Sequence, residues 1–266
     1  TAGWQRAVFG FWQDLLPRLA AGVTANTRHL ADEARRNGAR NVVVVPNGVD
    51  LAGFAPPPEA VRAALRASLG LEGRRVVAYA GTLALQNHPV DLLVEAFPEV
   101  LAACPEAVLL LIGGGEDLPA LRELARRRGL ADRVYFTGQL PHRAAVACLA
   151  LAELSADPVR DDPVARARSP LKLFESMALG VPVVTGDVGD RAASLAGGAA
   201  GALVPPGDPR ALAEAIVALL GDEPRRRAMA EAGREQARRY DWRRLASEWA
   251  MVYDRGRGAA GVAERV

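Results

Sequence analysis

The chain has 266 residues, half of them hydrophobic and 24% charged, which suits one large or two small globular domains with ample core. Its 33 basic and 31 acidic side chains leave a formal net charge of only +2, which excludes the basic footprint of a nucleic-acid binder. No run reaches the roughly 18 apolar residues of a membrane span, and the isolated Cys104 and Cys148 read as reduced core residues of a cytoplasmic protein, not as a disulfide framework or metal site.

The chain opens on Thr1, not Met, and enters at once an amphipathic helix over residues 4–19 that needs a partner, so it is expected to come from the middle of a longer protein. A strand at 22–26 and a helix ending at Arg36 follow. Asn41–Val45 is a continuous β-branched run, expected to form a strand buried on both faces. Pro46-Asn47-Gly48-Val49-Asp50 is a turn, the prolines at 56–58 open a loop, and residues 58–69 form a short helix.

From Arg75 onward strands and helices alternate. Strands are predicted at 76–80, 108–112, 134–136, 154–157, 181–185 and 202–204, and helices at 90–103, 118–128, 143–152, 209–220 and 225–239. Asp241-Trp242 caps a last helix to residue 255, and the Gly/Ala-rich end after Gly256 is expected to fray. There is no internal repeat. Alternation of this kind makes an α/β fold: a Rossmann-like parallel sheet with helices on both faces. Ligands of such sheets bind in the crevice at the carboxyl ends of the strands, so function is sought in the residues just after each strand.

Thirty-two of the 33 basic residues are arginine; the single lysine is Lys172, within Ser169-Pro170-Leu171-Lys172-Leu173-Phe174-Glu175. Ser169 suits an N-cap, Pro170 the first helical position and Gly180 a helix stop. That arrangement sets a helix N-terminus at the mouth of the crevice, where free N–H groups and partial positive charge bind phosphate. Lys172, in the first turn, brings an ammonium to the same anion. Glu175, three residues on, shares its face and can accept hydrogen bonds from two vicinal hydroxyls, such as those of a ribose. Leu171, Phe174, Met177 and Ala178 are expected to pack on the sheet. Spacing alone leaves a second reading open, a capped helix carrying an ordinary Lys–Glu pair.

The other signals are weaker. Gly113-Gly114-Gly115 follows a strand, but Leu118 stands where a dinucleotide fingerprint needs its third glycine and the ribose-binding acid is missing. Gly81-Thr82 forms a tight turn after the first strand of the alternating unit, and His88 lies in the loop beyond it, on the crevice side. His29 reads as a helix-surface residue and His142 as a helix cap. Asp161-Asp162 reads as a solvated loop. No His, Cys or acid cluster has metal-ligand spacing.

Taken in order, several stretches resemble the group 1 retaining glycosyltransferases, family GT4, over nearly the whole chain. They are Val45–Asp50, Tyr79-Ala80-Gly81-Thr82-Leu83, Leu111–Gly115, Val134–Gly138, Ser169–Glu175, Ala178–Val184 and Leu203–Asp208. The resemblance implies one half of a GT-B fold. Residues 1–45 would be the remnant of an N-terminal acceptor domain, 46–240 the nucleotide-sugar donor-binding domain, and 241–266 a crossover helix and tail. It also implies transfer of a sugar from a nucleotide-diphosphate sugar to a glycan, lipid-linked or small-molecule acceptor, with retention of configuration and neither metal nor cofactor. The location would be cytoplasmic, with peripheral contact at the inner membrane face allowed.

Glu175 matches the second glutamate of the family's E-x7-E motif, the ribose ligand, while the first falls at Ala167. Thr82 stands where an Arg is common, and Asn87 or His88 where a Lys is common, so two usual diphosphate cations are absent. The residues expected to carry the chemistry are therefore Lys172 and Glu175. Gly81, Thr82, His88, Gly113, Gly114, Ser169, Pro170 and Leu171 would line the donor. A non-catalytic nucleotide-binding or protein-interaction module on the same fold is the rival reading, and a nucleotide-sugar epimerase a third.

Overall fold

The computed structural model describes residues 3–263. Helix α1 (Gly3–Leu19) leads to a small parallel sheet of β1 (Val23–Ala25) and β2 (Val42–Val44), with α2 (Arg28–Arg36) between them. After α3 (Glu59–Ser68) comes the main unit: β3 (Arg75–Ala80), α4 (Asp91–Ala103), β4 (Ala107–Ile112), α5 (Leu118–Arg127), β5 (Val134–Phe136), α6 (His142–Leu149) and β6 (Leu154–Asp157). It continues through α7 (Pro163–Arg166), α8 (Leu171–Leu179), β7 (Val183–Gly186), α9 (Arg191–Ser194) and β8 (Gly201–Val204). Three helices close the chain, α10 (Pro209–Gly221), α11 (Glu223–Ala237) and α12 (Trp242–Ala263).

The six strands β3–β8 form one sheet in the order β5-β4-β3-β6-β7-β8, every pair parallel. Strand side chains alternate between faces, and both faces are covered. Val77, Tyr79, Leu109 and Leu111 join one buried cluster with α4, α5 and α10. Val76, Ala78, Val108 and Leu110 join another with α6 and α8. Burial on both faces is why β4, Ala-Val-Leu-Leu-Leu-Ile, is apolar at every position. The chain runs outward from β3 to β5, returns to β6 beside β3, and runs outward again. The direction of winding therefore reverses between β3 and β6, where a crevice must open at the carboxyl ends.

Several expectations are corrected. Val42, Val43 and Val44 are each half-buried, not enclosed on both faces, because their sheet has only two strands and α2 is the main element lying on it. The chain after Gly256 does not fray into coil: α12 continues to Ala263, while Glu264–Val266 fall outside the described residues. Two short helices were not foreseen, α7 and α9. Asp162 caps α7 by accepting from the Ala165 N–H at 2.8 Å and Asp161 pairs with Arg166, so this acidic pair is structured rather than a free loop. His142 is no cap. Pro141 holds that position, and the exposed His142 ring meets Phe54 edge-on with centroids 5.1 Å apart.

The Pro46–Asp50 turn joins the small sheet to the main unit. The Asn47 N–H donates to Ser169 Oγ at 3.0 Å, and Asn47 Nδ2 donates to the Ser169 carbonyl at 2.9 Å. Val49 exchanges backbone bonds with Tyr240 and Trp242 at the start of α12. Among the described residues, no helix is long and apolar enough to cross a membrane.

Candidate active site

At the winding reversal the carboxyl ends of β3, β4 and β6 and the start of α8 enclose a cavity of about 690 Å³. Its shape depends on backbone close approach. Gly81, just after β3, has φ +150°, and a Cβ there would collide with Lys172 Cε. Gly113, just after β4, has φ +137°, and its Cβ would run into the Gly81 carbonyl. The two glycines thus let one loop nest on the other and leave room for the lysine stem across both.

Lys172 does not extend into open solvent. Its side chain is 20% exposed, and Nζ lies 3.7 Å from Asp157 Oδ1, 3.3 Å from His88 Nδ1 and 5.2 Å from the Tyr79 ring centroid. Asp157 ends β6 and is 5% exposed. Burial by itself would push its carboxyl up, but Lys172 and Arg191 outweigh that and hold it below the usual range. His88 is driven the other way: burial, then Lys172 and Arg168, lower it to about 4, so the ring is neutral at pH 7. An ammonium can only donate, so His88 Nδ1 accepts and the ring proton sits on Nε2. Tyr79 is pushed up by burial, and its hydroxyl donates to the Thr82 carbonyl at 3.0 Å.

Helix α8 begins at Leu171, one residue later than expected, with Pro170 in the cap position and no side chain capping it. Ser169 is not the N-cap, because its hydroxyl is taken by the Asn47 N–H of the linker. Leu171 does not pack on the sheet either: it is 43% exposed and lines the cavity, while Leu173 and Phe174 are fully buried. The N–H groups of Leu171 and Lys172 have no carbonyl within the helix to reach, that of Leu173 donates to the Pro170 carbonyl at 3.2 Å, and Leu171 and Lys172 both line the cavity. Glu175, one turn on, also lines it. Burial pushes the Glu175 carboxyl up, opposed by Lys172 and His142.

All ten residues singled out from the sequence line this one cavity: Gly81, Thr82, His88, Gly113, Gly114, Ser169, Pro170, Leu171, Lys172 and Glu175. Asp157, Arg168 and Arg191 line it too and were missed. Asp157 ends the strand predicted at 154–157, and an acid closing an otherwise buried strand at the crevice end was the available signal. Arg168 anchors the segment before α8 by donating to the Asn87 carbonyl. Nothing local marks Arg191. Among the described residues, no group of three or more His, Cys, Asp or Glu could hold a metal.

Residues 74–222 match the family described as Glycosyl transferases group 1. The GDP-mannose-dependent alpha-(1-6)-phosphatidylinositol monomannoside mannosyltransferase of Mycolicibacterium smegmatis is 35% identical over 202 residues, covering 75% of this chain and 52% of that protein. The D-inositol 3-phosphate glycosyltransferase of Jonesia denitrificans is 32% identical over 256 residues, 91% of this chain and 59% of that protein. The chain therefore spans between half and three fifths of these relatives. Among solved structures, sucrose-phosphate synthase from Thermosynechococcus elongatus superposes with a TM-score of 0.79 at 27% identity, covering 94% of this chain and 61% of that one. Anabaena HepE in complex with UDP and glucose gives 0.75 at 22% identity, covering 98% and 68%, which bears on the fold alone. A parallel six-stranded sheet with its cleft at the winding reversal and a family match across that whole sheet agree: the chain belongs to the group 1 glycosyltransferases and carries one Rossmann-like half of the GT-B fold.

Proposed function

We propose that this chain is the donor-binding half of a retaining glycosyltransferase that moves a sugar from a nucleotide-diphosphate sugar to an acceptor. The observation that carries the reading is the meeting, in one cavity, of an uncapped helix N-terminus, the chain's only lysine and a carboxylate one helical turn away. The diphosphate sits at the start of α8, held by its N–H groups and Lys172. Glu175 accepts from the ribose hydroxyls, and Gly81, Thr82 and His88 border the sugar and phosphate. When the bond from the anomeric carbon to the diphosphate breaks, negative charge builds on the leaving phosphate. Donors aimed there stabilise the transition state more than the ground state, and that difference is catalysis. The acceptor oxygen then bonds to the same face of the sugar, and its proton passes to the departing phosphate oxygen.

The acceptor side belongs to the other half of the enzyme, as the relatives' greater length supports. Exposed Trp4, Phe9, Trp12, Leu16 and Leu19 on α1, and Trp249 on α12, give that half an apolar surface to pack on. A relative named for a phosphatidylinositol mannoside favours a lipid-linked acceptor, reached by peripheral contact with a membrane. One relative is named for GDP-mannose and one neighbouring structure holds UDP, so both bases belong in the test.

The test is transfer and donor hydrolysis by the full-length protein with UDP- and GDP-sugars, with Lys172→Ala alongside. Turnover should fall about 10- to 100-fold in the variant, the value of a charged hydrogen bond of roughly 1.5–3 kcal/mol. Binding of nucleotide without turnover of any nucleotide sugar would favour the non-catalytic module instead.

A further inference from the structure

The floor of the cavity gathers more charge than a single lysine requires. Asp157 offers one oxygen to Lys172 Nζ at 3.7 Å and the other to Arg191 Nη2 at 3.3 Å. The Asp157 and Arg191 side chains are only 7% and 4% exposed. Arg191 is fixed from behind: its Nε donates to Thr185 Oγ1 at 3.2 Å, and that hydroxyl donates to the Asp157 carbonyl at 2.8 Å. Its Nη1 is shut off from water and has no partner. Burying a guanidinium with a donor unused is costly, and an arginine that served only packing could be replaced by an apolar side chain.

Counting charges gives the arginine a purpose. Lys172 and Asp157 alone would cancel, and an incoming anion would meet a neutral floor. With Arg191 present the three groups sum to one positive charge. Two further charged groups line the cavity, Arg168 and Glu175, whose formal charges cancel, and His88 adds nothing while it is neutral.

We propose that Asp157 and Arg191 are positioning residues for Lys172: Asp157 fixes where the amine sits, and Arg191 neutralises Asp157 so that the lysine's charge stays available to a diphosphate. The inference rests on the nucleotide reading above and adds what that reading lacks, a reason for a buried acid beside the lysine that must hold an anion. It also gives the chain a cation from the β7–β8 connection where Thr82 and Asn87 supply none from the β3 loop.

The test is calorimetric titration of the full-length protein with UDP and GDP, and with uridine and guanosine as uncharged controls, near pH 7.5 and at two salt concentrations. Arg191→Met should weaken binding of the preferred diphosphate about tenfold. It should leave the nucleoside unaffected and flatten the salt dependence. The decisive variant is Asp157→Asn with Arg191→Met, which restores the net charge and should recover affinity to within about threefold of wild type. A merely structural role for Arg191 would not be rescued by removing its partner. Circular dichroism checks each variant's fold. Should Arg191→Met fail to fold, Arg191→Gln makes the same charge change and keeps a donor for Thr185. If wild type binds a diphosphate and Arg191→Met binds it equally well, or the double variant binds no better than the single, this inference falls and the nucleotide reading stands. If folded wild type binds neither diphosphate, both fall.

Discussion

Ion pairs on the outer helices and those at the cavity floor are built from the same residue types in opposite surroundings. On α10, Arg210 Nε lies 3.0 Å from Glu214 Oε1 with side chains 78% and 64% exposed. On α11, Arg227 and Glu223 pair at 77% and 59%. At the cavity floor Arg191 and Asp157 pair at 4% and 7%. Distance does not separate the two kinds, since the buried pair is the longer one. Water does. Exposed pairs trade one good environment for another and contribute about 0–1 kcal/mol, whereas buried charges have lost their hydration and depend on one another. Arginine in this chain is mostly a surface charge, and the site appears where two cations and an acid are withdrawn from solvent together.

The largest effect expected from that contrast is at Asp157. Asp157→Ala leaves Lys172 and Arg191 in the interior without their shared anion, which should destabilise the protein by about 3–5 kcal/mol in urea unfolding. A loss below about 1 kcal/mol would mean that water already reaches both cations, and the distinction between floor and surface would fail.

Glu175 tests the same idea with the opposite sign. Its carboxyl is raised by burial, so ionisation works against the folded state. A group raised on folding stabilises fully below its unfolded value and loses that contribution as pH rises through the folded one. Glu175→Gln should therefore be more stable than wild type at pH 7, and the gap should close on acidification as Glu175 takes up its proton. The same variant should bind nucleotide roughly tenfold more weakly, because the amide offers one neutral acceptor oxygen to the ribose hydroxyls where the carboxylate offers two charged ones. Thermal melts across pH, paired with calorimetry, check both. A variant that gains stability and keeps its affinity would remove Glu175 from the ribose site.

The sheet was legible because strands buried on both faces must be apolar throughout, as β4 is, and because the helices between them admit few topologies. Lys172 stood out as the single lysine, and the structure places it in the cavity. What escaped depended on partners far away in sequence. Asp157 and Arg191 lie 34 residues apart and meet because β6 and β7 pair in the register Asp157↔Thr185, which no local pattern encodes. Ser169 fits the local capping pattern but does not cap the helix, and its hydroxyl accepts from the N–H of Asn47, 122 residues upstream. Leu171 followed the apolar pattern yet lines the cavity and stays exposed. Local rules failed most at the site itself, which is where a fold gives up local preference for geometry.

The smallest expected effect completes the contrast. Arg210 sits in the first turn of α10, two residues after Asp208, whose side chain accepts from the Arg210 and Ala211 N–H groups at 2.9 and 3.0 Å. A cation near a helix N-terminus opposes the macrodipole, and an arginine preceding its glutamate by four is the weaker orientation of such pairs. Alanine keeps the backbone N–H that Asp208 needs and is the better helix former. Arg210→Ala should therefore change stability by no more than about 0.5 kcal/mol, in the stabilising direction if at all, and the difference should shrink with added salt. Urea unfolding at low and high salt measures it. A loss of several kcal/mol, comparable to that for Asp157→Ala, would mean that exposure does not decide what an ion pair contributes in this protein, and the charge argument for the cavity floor would lose its reference.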